Sequence, residues 1–240
     1  MVPGVDVAID AEGVVVKSAT PLAVVSSALV GGGLGVVDAV LNVHVPKGFA
    51  CVDAVATVAA FARRRAVVAP YVGLLTAALT ERAETAMARR GSLTAMAIAT
   101  VGLSNRITAG VSPAAEGEWG AGAPEARLCG AGPPWPEAAE PGTINAIVIV
   151  DGDAEPAALV NALMTVTQVK MLALVEAGVK GAEGHVATGT STDAVVIAAT
   201  QRGVRQRFGG PVSHLGWVVA QAAGAAFRRG IARWLAEHPA

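Results

Sequence analysis

Four short apolar runs follow one another before any helical pattern sets in: VDVAI, GVVVKSA, LAVVSSALV and VVDAVLNVHV, each bounded by glycine or proline. Short apolar length and period-two alternation read as strands. Strands that succeed one another directly do not build a doubly wound parallel sheet, in which a helix follows each strand. Further along, the Ala-rich stretch 52–65 carries Val55, Val58, Ala59 and Ala62 at helical spacing and ends in Arg63 to Arg65, which suits a helix C-terminus.

Two more apolar runs, AVVAPYVGLLTAAL and SLTAMAIATVGLSN, come next, separated by the charged segment ERAETAMARRG. GTINAIVIVD, residues 142–151, reads as a buried strand. DAEPAALVNALMTVTQVKMLALVEAGV begins with acidic residues and Pro156 and stops at Gly178, so a helix is expected with Leu159, Leu163, Val166, Val169 and Leu174 inward. AVVIAAT is another strand, and a last helix is expected over about 216–237. The order β-β-β-β-α-β-β-β-α-β-α predicts an α+β layered sandwich, with a mixed, largely antiparallel sheet, flanking helices and a single domain over 1–240.

Mean hydropathy of +0.52 raises the question of a membrane span. The longest uncharged run, 18–37, reaches the roughly 20 residues a spanning helix needs. It contains Pro21, Ser26, Ser27 and Gly31 to Gly33, which read as strand and turn, so no membrane association is expected. Acidic Asp6, Asp10 and Glu12 stand where an export signal carries basic residues, which points to the cytoplasm. Cys51 and Cys129 form no paired spacing, so neither a disulfide framework nor a metal site is expected. With 18 basic and 19 acidic residues scattered along the chain, there is no footprint for nucleic acid.

Residues 110–142, rich in glycine and proline, break the pattern. They read either as a disordered insertion or as a lid in which Trp119 and Trp135 offer stacking surfaces.

The stretch His185 to Thr200, HVATGTSTDAVVIAAT, joins a polar loop to a purely apolar strand. Thr188, Thr190, Ser191 and Thr192 supply hydroxyls, Gly189 permits a sharp turn, and Asp193 supplies a base or an orienting carboxylate. The same residues also suit a polar turn that satisfies its own backbone. A phosphate-cradling loop is a further reading, but no GxxxxGK[ST] or GxGxxG motif accompanies it. Lys170 stands in an otherwise apolar helix, as a base, a donor, or a solvent-facing lysine. His44, at the end of a strand, is the leading general acid/base among the histidines, with His185 second. Asn42, Asn105 and Asn145 each end or interrupt an apolar strand and either grip polar groups or close turns.

Several pieces together resemble the adenosylcobinamide amidohydrolases of the CbiZ type: SSALVGGG, LNVHV, VGLLTAA, VGLSNR, GTINAIVIVD, TVTQVK, ATGTSTD and FGGPVSHLG. The likeness runs from about Ser26 to Gly216, with 110–142 as its gap. It implies hydrolysis of the amide that joins the aminopropanol arm to a corrin ring, giving adenosylcobyric acid for corrinoid salvage. The corrinoid is then substrate rather than cofactor. Catalytic roles would fall to His44, Lys170, Thr188, Ser191 and Asp193. Substrate binding would fall to Gly32, Asn42, Asn105, Asn145, Thr167, Gln168, Gly189, Thr190 and Thr192.

One departure stands out. Where the family pattern has Thr-Glu-Ala-Lys, this chain has Thr167-Gln168-Val169-Lys170, so a non-catalytic corrinoid-binding paralogue stays open beside the enzyme, as does an Ala/Val-rich scaffold. The apolar C-terminal segment with Trp217 and Trp234 leaves a homo-oligomer possible.

Overall fold

The computed structural model describes residues 1–46, 49, 53–112 and 142–239. Cys51, Cys129, Trp119, Trp135 and nearly all of the 110–142 segment lie outside the described residues.

The strands are β1 (Val5–Asp10), β2 (Gly13–Ser26), β3 (Gly33–His44), β4 (Tyr71–Thr76), β5 (Glu84–Arg90), β6 (Leu93–Val101), β7 (Arg106–Ile107), β8 (Ile144–Asp151), β9 (Asp153–Ala154), β10 (Gly189–Thr190), β11 (Ala194–Ala199) and β12 (Arg205–Gln206). The helices are α1 (Ala54–Arg64), α2 (Pro156–Glu176) and α3 (His214–Glu237). The main sheet runs β4-β3-β2-β11-β8-β6-β5, with β1 added against β2. Only β3–β4 and β8–β11 pair in parallel within it, and a helix bridges each of those connections, α1 in the first and α2 in the second. The mixed, largely antiparallel α+β sandwich expected from the strand succession is the observed architecture.

Two of the expected strands are one. GVVVKSA and LAVVSSALV form the single β2, whose pairing with β3 slips between Lys17 and Leu22. That irregularity lets one strand serve two leaves of a sheet that folds back on itself. Its first half pairs with β1 and its last residues with β11. Val14, Val16, Val40, Val72 and Leu74 from one leaf then pack against Met96, Ile98, Ile147, Ile149 and Val196 from the other.

Helices cover both outer faces. Val58, Phe61 and Ala62 of α1 pack on Val15, Ala39, Leu41 and Val43. Ala158, Leu159, Val166 and Leu174 of α2, with Val218, Ala222 and Phe227 of α3, cover the second leaf. The order of layers is therefore α-β-β-α.

Local signals set the helix ends. The Asp53 carboxylate accepts from Ala56 N at 2.7 Å, and Arg63 and Arg64 lie in the last turn of α1. Ser213 caps α3 by accepting from Gly216 N at 3.0 Å. The charged segment ERAETAMARRG, read only as a separator, contains the edge strand β5, along which Glu84 and Ala86 face in while Thr85 and Met87 face out. Charges on an edge strand discourage pairing with other chains. Trp217 and Trp234 pack against the chain's own core.

Candidate active site

α2 packs on the second leaf through a row in which Lys170 falls between Val166 and Ala173, so its side chain enters the protein with only 6% of the residue exposed. The residue it meets is Asp193, immediately before β11. Lys170 Nζ and Asp193 Oδ2 form a close ion pair, with side chains 8% and 11% exposed. Thr190 N donates to the same oxygen at 3.1 Å. On the other oxygen, Oδ1 accepts from Ile144 N at 2.9 Å and from the Thr190 hydroxyl in a close contact. Four donors thus occupy the roughly four lone-pair sites of one carboxylate.

Gly189 is needed here for a different reason than the turn expected of it. It is absent from the residues with left-handed φ, and a methyl group on it would lie 2.8 Å from Lys170 Nζ and closer still to Asp193 Oδ2. Only a hydrogen fits beside the ion pair.

The hydroxyl loop is tied to two neighbours. β10 pairs antiparallel with β7, and Thr188 Oγ1 accepts from Ala109 N at 2.9 Å. Asn105 Nδ2 donates to Ser191 Oγ at 2.8 Å, while Asn105 Oδ1 accepts from Gly142 N at 3.2 Å. Thr192 donates its hydroxyl to Thr143 Oγ1 at 2.9 Å, and Thr143 donates to Thr192 O at 2.8 Å. Thr143 is 4% exposed and was not singled out in the sequence. The signal lay in GTIN, where a hydroxyl stands directly before a wholly apolar strand.

A second polar group lies between the two leaves. Asn145, 1% exposed, donates through Nδ2 to Asn42 Oδ1 at 2.9 Å and to Leu75 O at 2.8 Å. Asn42 in turn donates to Thr100 Oγ1 at 3.1 Å. Asn145 Oδ1 is buried without a hydrogen-bond partner among the described residues, and an unmet buried acceptor is costly, by about 1–3 kcal/mol. The last three residues of GTIN link the two groups: Thr143 meets Thr192, Ile144 N meets Asp193, and Asn145 turns to the opposite face.

The other expected site residues stand apart. His44 is half-buried, with Nδ1 3.1 Å from Ala78 O, and has no described contact with the Lys170–Asp193 pair. Gly32 lies in the β2–β3 turn, with Gly31 and Gly33 left-handed on either side, and its nearest neighbours are the backbone of Ser26 and Ala28. Thr167 and Gln168 face solvent, and the Thr167 hydroxyl donates to Leu163 O at 3.0 Å. His185 is exposed.

Beyond this site, Arg228 of α3 donates to both oxygens of Glu176 at the end of α2, at 2.6 and 3.1 Å. That guanidinium holds the Glu176 carboxyl below its ordinary value. Among the described residues no three of His, Cys, Asp and Glu gather into a group that could hold a metal ion.

A buried lysine–carboxylate pair flanked by hydroxyls is suited to activating an oxygen nucleophile and to stabilising negative charge on a carbonyl oxygen. The chain matches the adenosylcobinamide amidohydrolase family, CbiZ, over residues 3–239. No curated protein matches it. Among solved structures it resembles a Burkholderia sp. beta-aminopeptidase, with TM-score 0.50 and 14% identity, covering 98% of this chain and 84% of the other. That likeness concerns the fold. An L-aminopeptidase D-Ala-esterase/amidase from Ochrobactrum anthropi, described as a variant of the Ntn hydrolase fold, gives TM-score 0.39 and 14% identity over 95% and 83% of the two chains.

Proposed function

The chain belongs to the adenosylcobinamide amidohydrolase family, and from that premise we propose that it hydrolyses the aminopropanol amide of adenosylcobinamide at the Lys170–Asp193 cluster, giving adenosylcobyric acid for corrinoid salvage. The protein is thus a hydrolase of a carbon–nitrogen amide bond. The observation that carries the assignment of the site is the shared carboxylate, with Thr190 on one oxygen and Lys170 on the other.

In this reading the Thr190 oxygen attacks the amide carbon while its proton passes to Asp193. An amide resists attack because its carbonyl is a weak electrophile. Lys170 has three N–H donors, of which one faces Asp193; the others are available to the oxygen on which negative charge develops. The proton held by Asp193 then goes to the departing aminopropanol nitrogen, leaving an ester on Thr190. Water, deprotonated by the same carboxylate, hydrolyses that ester to the acid. Asn42 and Asn145, 2% and 1% exposed, bond to one another between the two leaves rather than to the substrate.

Thr143 is the competing nucleophile, favoured by its hydroxyl contact with Thr192 at the start of β8. Two variants separate the readings. Thr190→Val is expected to reduce aminopropanol release at least about 10³-fold, as loss of a nucleophile does, with Thr143→Val much milder. The reverse order assigns the attack to Thr143. A spectral change in the bound corrinoid without any amine release by the wild type supports a binding paralogue instead.

Gln168 motivated that alternative, but its exposed position on α2 separates it from the buried ion pair. Gln168→Glu is therefore expected to change turnover by no more than about two- to threefold, the rate equivalent of about 0.5 kcal/mol. A much larger rise in a steady-state assay would place this position in the reaction.

A further inference from the structure

A cavity of about 240 Å³ opens where the end of α3 meets the segments after β4 and β6. It falls just under the roughly 300 Å³ at which pockets for whole drug-sized ligands begin, so it suits one arm of a large ligand. Its aromatic wall is Trp234 with the His238 ring stacked on it, centroids 4.2 Å apart and planes within 8°. Ser104, Arg82 and Glu237 supply donors and an acceptor at the same cavity. Gly102, another wall residue, donates its N–H to Thr143 O at 2.9 Å. One strand segment thus separates this cavity from the hydroxyl cluster.

The charges decide what class of ligand fits. Arg82 already faces Glu237, and Arg233 already faces Glu84. An anion would have to compete with carboxylates in place. A neutral heterocycle that both donates and accepts hydrogen bonds need not displace either ion pair, and its face matches the outer face of the His238 ring, since Trp234 carries His238 on its ring and Arg106 over it at 6.0 Å.

We propose that this cavity receives the adenosyl group of the corrinoid, a purine nucleoside, and so makes the enzyme discriminate adenosylated from unadenosylated substrate. The inference rests on the corrinoid reading of the Lys170–Asp193 site, but its first test does not. 5′-Deoxyadenosine is titrated into the full chain by calorimetry, beside Trp234→Ala and the solvent-facing variant Glu237→Ala, with folding checked by circular dichroism. Saturable binding by the wild type, weakened about tenfold or more by either variant, is expected from the loss of stacking or of a hydrogen bond. No saturable binding, or binding that both folded variants retain, overturns the proposal.

The second test compares kcat/KM for adenosylcobinamide and for cobinamide. A preference for the adenosylated form that falls by about tenfold in the variants supports the cavity's role. An unchanged ratio overturns it while leaving the amidohydrolase reading intact. If neither corrinoid is turned over, the reading of the catalytic site fails, and the titration still decides whether a nucleoside binds.

Discussion

Replacing Lys170 by methionine is expected to abolish measurable amide hydrolysis and to destabilise the fold by about 3–5 kcal/mol, the cost of leaving one member of a buried ion pair alone. The magnitude follows from burial. Both side chains are about nine-tenths withdrawn from solvent, and the carboxylate left behind would keep its three other donors but lose its one cation among the described residues. The double variant Lys170→Met/Asp193→Asn removes both charges together. Its urea midpoint should recover most of the stability lost in the single variant, while its turnover stays absent. That pattern separates the two roles of the pair, because stability returns with neutrality and catalysis does not. If Lys170→Met keeps wild-type turnover, lysine is no part of the reaction.

Gly142→Ala is expected to have the second largest effect. A methyl there would sit 2.8 Å from Gly102 C, Gly102 O and Ser104 N, all backbone atoms that cannot swing aside. Either the start of β8 or the 102–105 segment has to move. Such overpacking costs about 1–3 kcal/mol. The consequence for function is larger, since Gly142 N holds Asn105, Asn105 holds Ser191, and the next residue, Thr143, holds Thr192. A displacement of about 1 Å at a reacting centre can cost 10²-fold in rate, and a loss of that order is expected here. Gly35→Ala provides the control, because its methyl meets only Val24 Cγ2 at an ordinary 3.9 Å and should leave both stability and rate nearly unchanged. Equal effects of the two substitutions would show that the Gly102–Gly142 crossing does not position the site.

Much of this arrangement was legible in the sequence because the residues were out of place locally. A lysine in an apolar helix and an acid at the junction of a hydroxyl loop with an apolar strand each ask for a partner, and Lys170 and Asp193 are one another's. The strand succession likewise announced a sandwich rather than a doubly wound sheet. What escaped notice had no local oddity. Thr143 is one hydroxyl at the head of a strand, and nothing within GTINAIVIVD tells that Thr192 will come to it. The segment ERAETAMARRG looked like a separator because its charge masked a period-two pattern that only an edge position makes sense of. The break read between GVVVKSA and LAVVSSALV is real, but it is a slip in register inside one strand. The crowding at Gly189 comes from a side chain 19 residues earlier, which is invisible to local rules. His238 belongs to no motif, and it is the stack on Trp234 that gives it a place in a cavity wall.

The most direct test is to quantify aminopropanol released from adenosylcobinamide by the wild-type chain and by Asp193→Asn, which keeps the size of the side chain while removing its charge. Release in equal amount with adenosylcobyric acid is expected of the wild type, and a loss of at least about 10³-fold of the variant, as for a catalytic base that acts with its nucleophile. Undiminished release by Asp193→Asn would contradict it.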